Sequence, residues 1–71
     1  MNYAKIPLSQ KKWSGIRIHG ANLYKAMLSG TDLSGADLTG VNFTSAFLKD
    51  CKMDNAFMKD VKFGVYPDLL C

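Results

Sequence analysis

The chain has 71 residues, 48% of them hydrophobic, and a formal net charge of +3. That suffices for one small domain, is too apolar for a disordered segment, and contains no run near the roughly 20 apolar residues of a membrane span. The charge is uneven: residues 1–25 hold Lys5, Lys11, Lys12, Arg17 and Lys25 without an acid, and the remainder sets four Lys against six Asp. Such a front attracts an acidic partner or simply keeps the N-terminus solvated, and solvation is the simpler reading.

The opening stretch, MNYAKIPLSQKKW, has no continuous apolar core of the signal-peptide type, so a cytosolic location is expected. It already carries a pattern that runs through the chain. Every fifth residue is apolar: Tyr3, Leu8 and Trp13, then Ile18, Leu23, Leu28, Leu33, Leu38, Phe43, Leu48, Met53, Met58 and Phe63. Asp68 is the first failure. The residues from Ile18 to Phe63 in this column are the expected structural core. Two positions earlier lies a second column of mostly small residues: Ile16, Ala21, Ala26, Thr31, Ala36, Val41, Ala46, Cys51, Ala56 and Val61. Residues two apart share a face on an extended backbone, so the small and the large residue point the same way.

No regular element satisfies a period of five. On a helix each step would turn the large residue by a net ~140° and scatter it around the cylinder. On a flat strand successive large residues would alternate sides. One buried face results only if the chain turns after each short extended piece. The column holding Gly20, Gly30, Gly35 and Gly40, and later Ser45, Asp50, Asn55 and Asp60, supplies residues suited to such corners.

The stretch ANLYKAMLSGTDLSGADLTGVNF, residues 21–43, resembles the pentapeptide-repeat proteins, whose units approximate A(D/N)LXX. Ala21-Asn22-Leu23 and Ala36-Asp37-Leu38 match fully, and Thr31-Asp32-Leu33 and Val41-Asn42-Phe43 closely. Later units are looser: Phe47, Lys52, Phe57 and Lys62 stand where Asn or Asp is usual. The resemblance implies an all-β fold, a right-handed quadrilateral β-helix of about two and a half to three coils. Four sides of five residues make a coil of twenty. Leu23, Phe43 and Phe63 then form one inward ladder, and Ile18, Leu38 and Met58 another. Outside, Lys12, Asp32 and Lys52 stack with alternating charge, each exposed pair contributing at most about 1 kcal/mol.

Repeat stacks need covered ends. Residues 1–15 read as an N-terminal cap or degenerate repeats, because Lys11 interrupts the small column and Pro7, which lacks an N–H, suits an edge. Residues 16–65 are the repeat proper. Residues 66–71 read as a C-terminal tail or connection, since Pro67 and Asp68 break the register.

Candidate sites lie where the pattern breaks. Met27, Phe47 and Phe57 occupy the outward Asn/Asp column. Met27 and Phe47, twenty apart, are expected neighbours and fit an adhesive patch or local packing equally; Phe57 falls on the opposite side and reads as an isolated surface group. AFLKD at 46–50 returns as AFMKD at 56–60, an echo best read as duplicated units. Cys51 and Cys71 would stack in a perfect coil at a spacing that fits a disulfide, but the broken register and a reducing compartment make Cys51 a small core filler. The lone His19 reads as surface.

No catalytic, cofactor or metal site is expected, and no glycine-rich phosphate loop, metalloprotease or CxxC motif is present. The expected function is a non-enzymatic interaction module that contacts a protein partner, a second copy or a neighbouring domain through its ends or an apolar side. The family resemblance supplies an alternative, a DNA mimic that binds type II topoisomerases, which short length and basic charge disfavour. Nucleic-acid binding through the basic front has charge but no motif.

Overall fold

A left-handed corner every five residues governs the path of the chain. The computed structural model describes residues 1–64. At each corner the carbonyl of the large inward residue accepts a hydrogen bond from the N–H three residues on, as Leu33 does from Ala36 at 3.0 Å and Leu38 from Val41 at 3.0 Å. Only the third residue of each such turn has positive φ, the signature of a type II turn. Glycine takes this position at Gly35 and Gly40 without steric cost, but Lys5, Gln10, Lys25, Ser45, Asp50, Asn55 and Asp60 adopt it as well, with φ between 57° and 65°.

Between corners the backbone is extended for a single bridging residue. Asn2, Pro7, Lys12, Arg17 and every fifth residue to Asn42 pair in parallel with the residue twenty positions later. The result is a coil of twenty residues with four sides, and the described residues make three coils. Each side contributes an isolated bridge to its neighbours rather than a longer strand. The same pairing includes Asn2, Pro7 and Lys12, so the backbone pattern does not change at residue 15. Pro7 lies on the open edge of the first coil, where its missing N–H removes one unpaired donor.

Inside the coil lies a continuous core. Ile18, Leu23, Leu28, Leu33, Leu38, Phe43 and Leu48 are buried together with Ala21, Ala26, Ala36, Val41, Ala46 and Cys51. The one buried polar side chain among the described residues, Thr31, donates its hydroxyl hydrogen to the Leu8 carbonyl at 2.7 Å. Met53, Met58 and Phe63, in the last described coil, are partly buried. Phe63 stacks on Phe43 with ring centres 5.7 Å apart and planes 14° from parallel. At the other end Tyr3 and Trp13 meet edge to face across the coil at 5.6 Å and pack on the core.

The five-residue rule first slips at Gly64, where positive φ arrives one residue early. The register change at Pro67 and Asp68, the 66–71 connection and the Cys51–Cys71 pairing lie outside the described residues. Gly35 isolates the backbone contribution of a corner, because a Cβ there would meet nothing within 4 Å. Gly35→Ala is therefore expected to lower stability by about 1 kcal/mol, and Ser45→Gly to raise it by roughly 0.5 kcal/mol. Denaturant unfolding checks both signs.

Candidate functional site

The Asn/Asp column has a structural task that explains its composition. In the unit Ala36–Gly40 every backbone N–H finds an acceptor. Ala36 closes the turn onto Leu33, Asp37 donates to Ile16 in the preceding coil, and Leu38 and Gly40 donate to Phe57 and Lys59 in the next. The remaining N–H, of Thr39, donates to the Asp37 carboxylate at 3.2 Å. Asn22 accepts from Tyr24, Asp32 from Ser34 and Asn42 from Thr44 in the same way, at 3.0–3.1 Å. The outward Asn or Asp thus satisfies the one corner donor that coil stacking leaves over.

Met27 and Phe47 cannot do this. In their units the N–H groups of Ser29 and Lys49 have no protein acceptor among the described residues. The two side chains are joined through the Met27–Phe47 bridge and are 43% and 47% exposed, which puts them side by side on the surface. Pro7 precedes them on the same side through its bridge to Met27, and the exposed Ile6 adjoins it. The outcome is an apolar strip running along one side of the coil across all three turns. Phe57 is also exposed, but bridges to Asp37, half a coil away on the opposite side.

That opposite side holds a pair that the sequence reading treated as unconnected. His19 Nε2 contacts the Asp37 carboxylate. The residues are eighteen apart, so one coil step less two residues brings a corner His beside an outward Asp. The twenty-residue register was the available signal. The Asp37 carboxyl is held below its ordinary range first by the Thr39 hydroxyl, then by His19 and the Thr39 N–H. Asp32 is lowered mainly by hydrogen bonds from Ser34, with Lys52 adding a smaller attraction. Lys12, Asp32 and Lys52 do stack through bridges, yet form no ion pair among the described residues, because Asp32 turns its carboxylate to the corner instead. The stacked charges therefore contribute less than the alternating order suggested.

Against this geometry, the family model described as pentapeptide repeats matches in 8 copies over residues 8–40 and 21–60, more than half of the chain. The chain belongs to the pentapeptide-repeat family. No curated protein and no solved structure gave a significant match. Within this pentapeptide-repeat chain, the matched region takes in Met27, Phe47 and Phe57 as well as the units that keep Asn or Asp. Among the described residues no three His, Cys, Asp or Glu side chains gather as metal ligands would, and no helix is long and apolar enough to cross a membrane.

Two outcomes follow. Phe47→Asn supplies an acceptor for the Lys49 N–H and is expected to raise stability by about 1 kcal/mol, measured by denaturant unfolding. Asp32 and Asp37 have depressed folded-state pKa values, so their contribution is complete above the ordinary 3.8 and is lost as pH falls below it toward the folded values. Thermal unfolding across pH 5 to about 2 should show this loss, and the Asp32→Asn, Asp37→Asn double variant should flatten it, because Asn keeps the corner acceptor without titrating.

Proposed function

We propose that this chain is a non-enzymatic structural module that binds a partner protein through its Met27–Phe47 side. In this reading residues 16–65 form a right-handed quadrilateral β-helix, as pentapeptide repeats generally do. Residues 1–15 are its N-terminal cap or degenerate repeats, and residues 66–71 a C-terminal tail or connection. The module works in the cytosol, presents its surface without rearranging, and carries no catalytic residue. The coil ends, where ladder groups and the half-buried Met53, Met58 and Phe63 lie, offer a second contact region for another copy of the chain.

One observation carries the proposal. Met27 and Phe47 stand where Asn or Asp would complete the backbone bonding of their units, so the coil forgoes two corner hydrogen bonds and exposes two large apolar side chains instead. Folding alone favours the polar residue at both positions. A binding surface accounts for the apolar one, because exposed Met and aromatic groups are what protein interfaces draw on. A short, basic chain with Lys5, Lys11, Lys12 and Arg17 at its front fits a topoisomerase-directed DNA mimic poorly, since such mimicry needs an extended acidic surface.

A photoreactive phenylalanine analogue at position 47 tests the proposal in the cell of origin. The expected result is a discrete protein adduct that is absent when the probe sits at Lys62, on another side. The Met27→Asn substitution combined with the position-47 probe should weaken that adduct. No adduct at position 47, or equal labelling from both positions, would contradict the proposal. Sedimentation of the purified chain shows whether the adduct is a second copy.

A further inference from the structure

The side opposite the apolar strip carries a built recess. Arg17, Asp37 and Phe57 succeed one another through bridges on this side, and with His19 they line a cleft of about 600 Å³. Gly15 and Gly35 also line it, and a Cβ at either would face open space.

The chemistry of the cleft is graded along the coil axis. Arg17 is exposed and makes no hydrogen bond or ion pair among the described residues. Asp37, its bridged neighbour, does not neutralise it at contact range: one carboxylate oxygen accepts from the Thr39 N–H and hydroxyl, and the other is engaged by His19. The guanidinium is therefore available to an oxyanion, which it can grip with two parallel donors. The engaged Asp37 oxygen retains a second lone pair, which suits a hydroxyl donor. Phe57, 64% exposed, offers a ring face to a flat partner. Arg17 and Phe57 are two rungs apart, about 10 Å at the spacing of paired strands.

We propose that this cleft binds a nucleoside monophosphate. Its phosphate meets Arg17, its sugar hydroxyls meet Asp37 and His19, and its base lies on Phe57. The length, order and polarity of such a ligand match the order of these side chains along the coil. A bare anion would use only the Arg17 end, and an uncharged ring only the Phe57 end.

Titration of the isotope-labelled chain with AMP, followed by amide and aromatic NMR shifts, tests this. Saturable shifts are expected at Gly15, Arg17, His19, Gly35 and Phe57. Adenosine and ribose 5-phosphate, run as separate arms, should each bind about tenfold more weakly. Arg17→Gln and Phe57→Ala, both at exposed positions, should each weaken AMP about tenfold, whereas Phe47→Ala on the far side should leave it unchanged. Absence of saturable shifts, shifts centred elsewhere, or AMP binding indifferent to both Arg17→Gln and Phe57→Ala would overturn the proposal. Ribose 5-phosphate binding as tightly as AMP would also overturn it, leaving only a simple anion site.

Discussion

Parallel backbone pairing between each bridging residue and the one twenty positions later is the interaction on which everything else depends. From Asn22 to Lys62 each bridge residue both donates to and accepts from the preceding coil, as Asn42 does with Ala21 and Leu23. Because the repeat is so short, one residue per side carries the ladder, and a slip of one residue would turn the Leu column outward. The left-handed corners keep that register by returning every side to the same phase. The core then follows: stacked Leu and Phe rows inside, with mostly small residues beside them. A chain of 71 residues reaches an ordered core by regularity rather than by size.

Much of this was legible because inward packing leaves a periodic trace. The Leu column, the small column and the glycine corners each reflect a demand that one residue type meets. The corner at Lys25 was harder to read, since a lysine at positive φ has no compositional signature and is held there by its neighbours. The purpose of the outward Asn and Asp was also hidden. Their periodic recurrence was visible, but only the geometry of the corner shows that they accept the one N–H that stacking leaves over. The same task explains why Asp32 turns to Ser34 and forms no ion pair with Lys12 or Lys52, although all three were correctly stacked. His19 looked isolated because its partner Asp37 is distant in sequence and close only through the coil step.

The proposed contacts draw mainly on positions that folding does not claim. The inward columns and corners are committed to the coil, and the Asn/Asp column is committed to corner donors. Met27 and Phe47 depart from that column on one side, Arg17 and Phe57 on the opposite side, and both departures give up a corner acceptor. The first produces an apolar strip and the second a polar cleft with one aromatic wall. A four-sided coil is suited to holding such different surfaces back to back, because an outward side chain exchanged on one side does not enter the inward packing of the others.

Scalar couplings across the hydrogen bonds, measured by NMR on the labelled chain, address the register directly. The N–H groups of Leu23, Leu28, Leu33 and Leu38 should couple to the carbonyls of Asn42, Phe47, Lys52 and Phe57, nineteen residues on in every case. Couplings at any other separation, or their absence from well-protected amides, would contradict the four-sided coil.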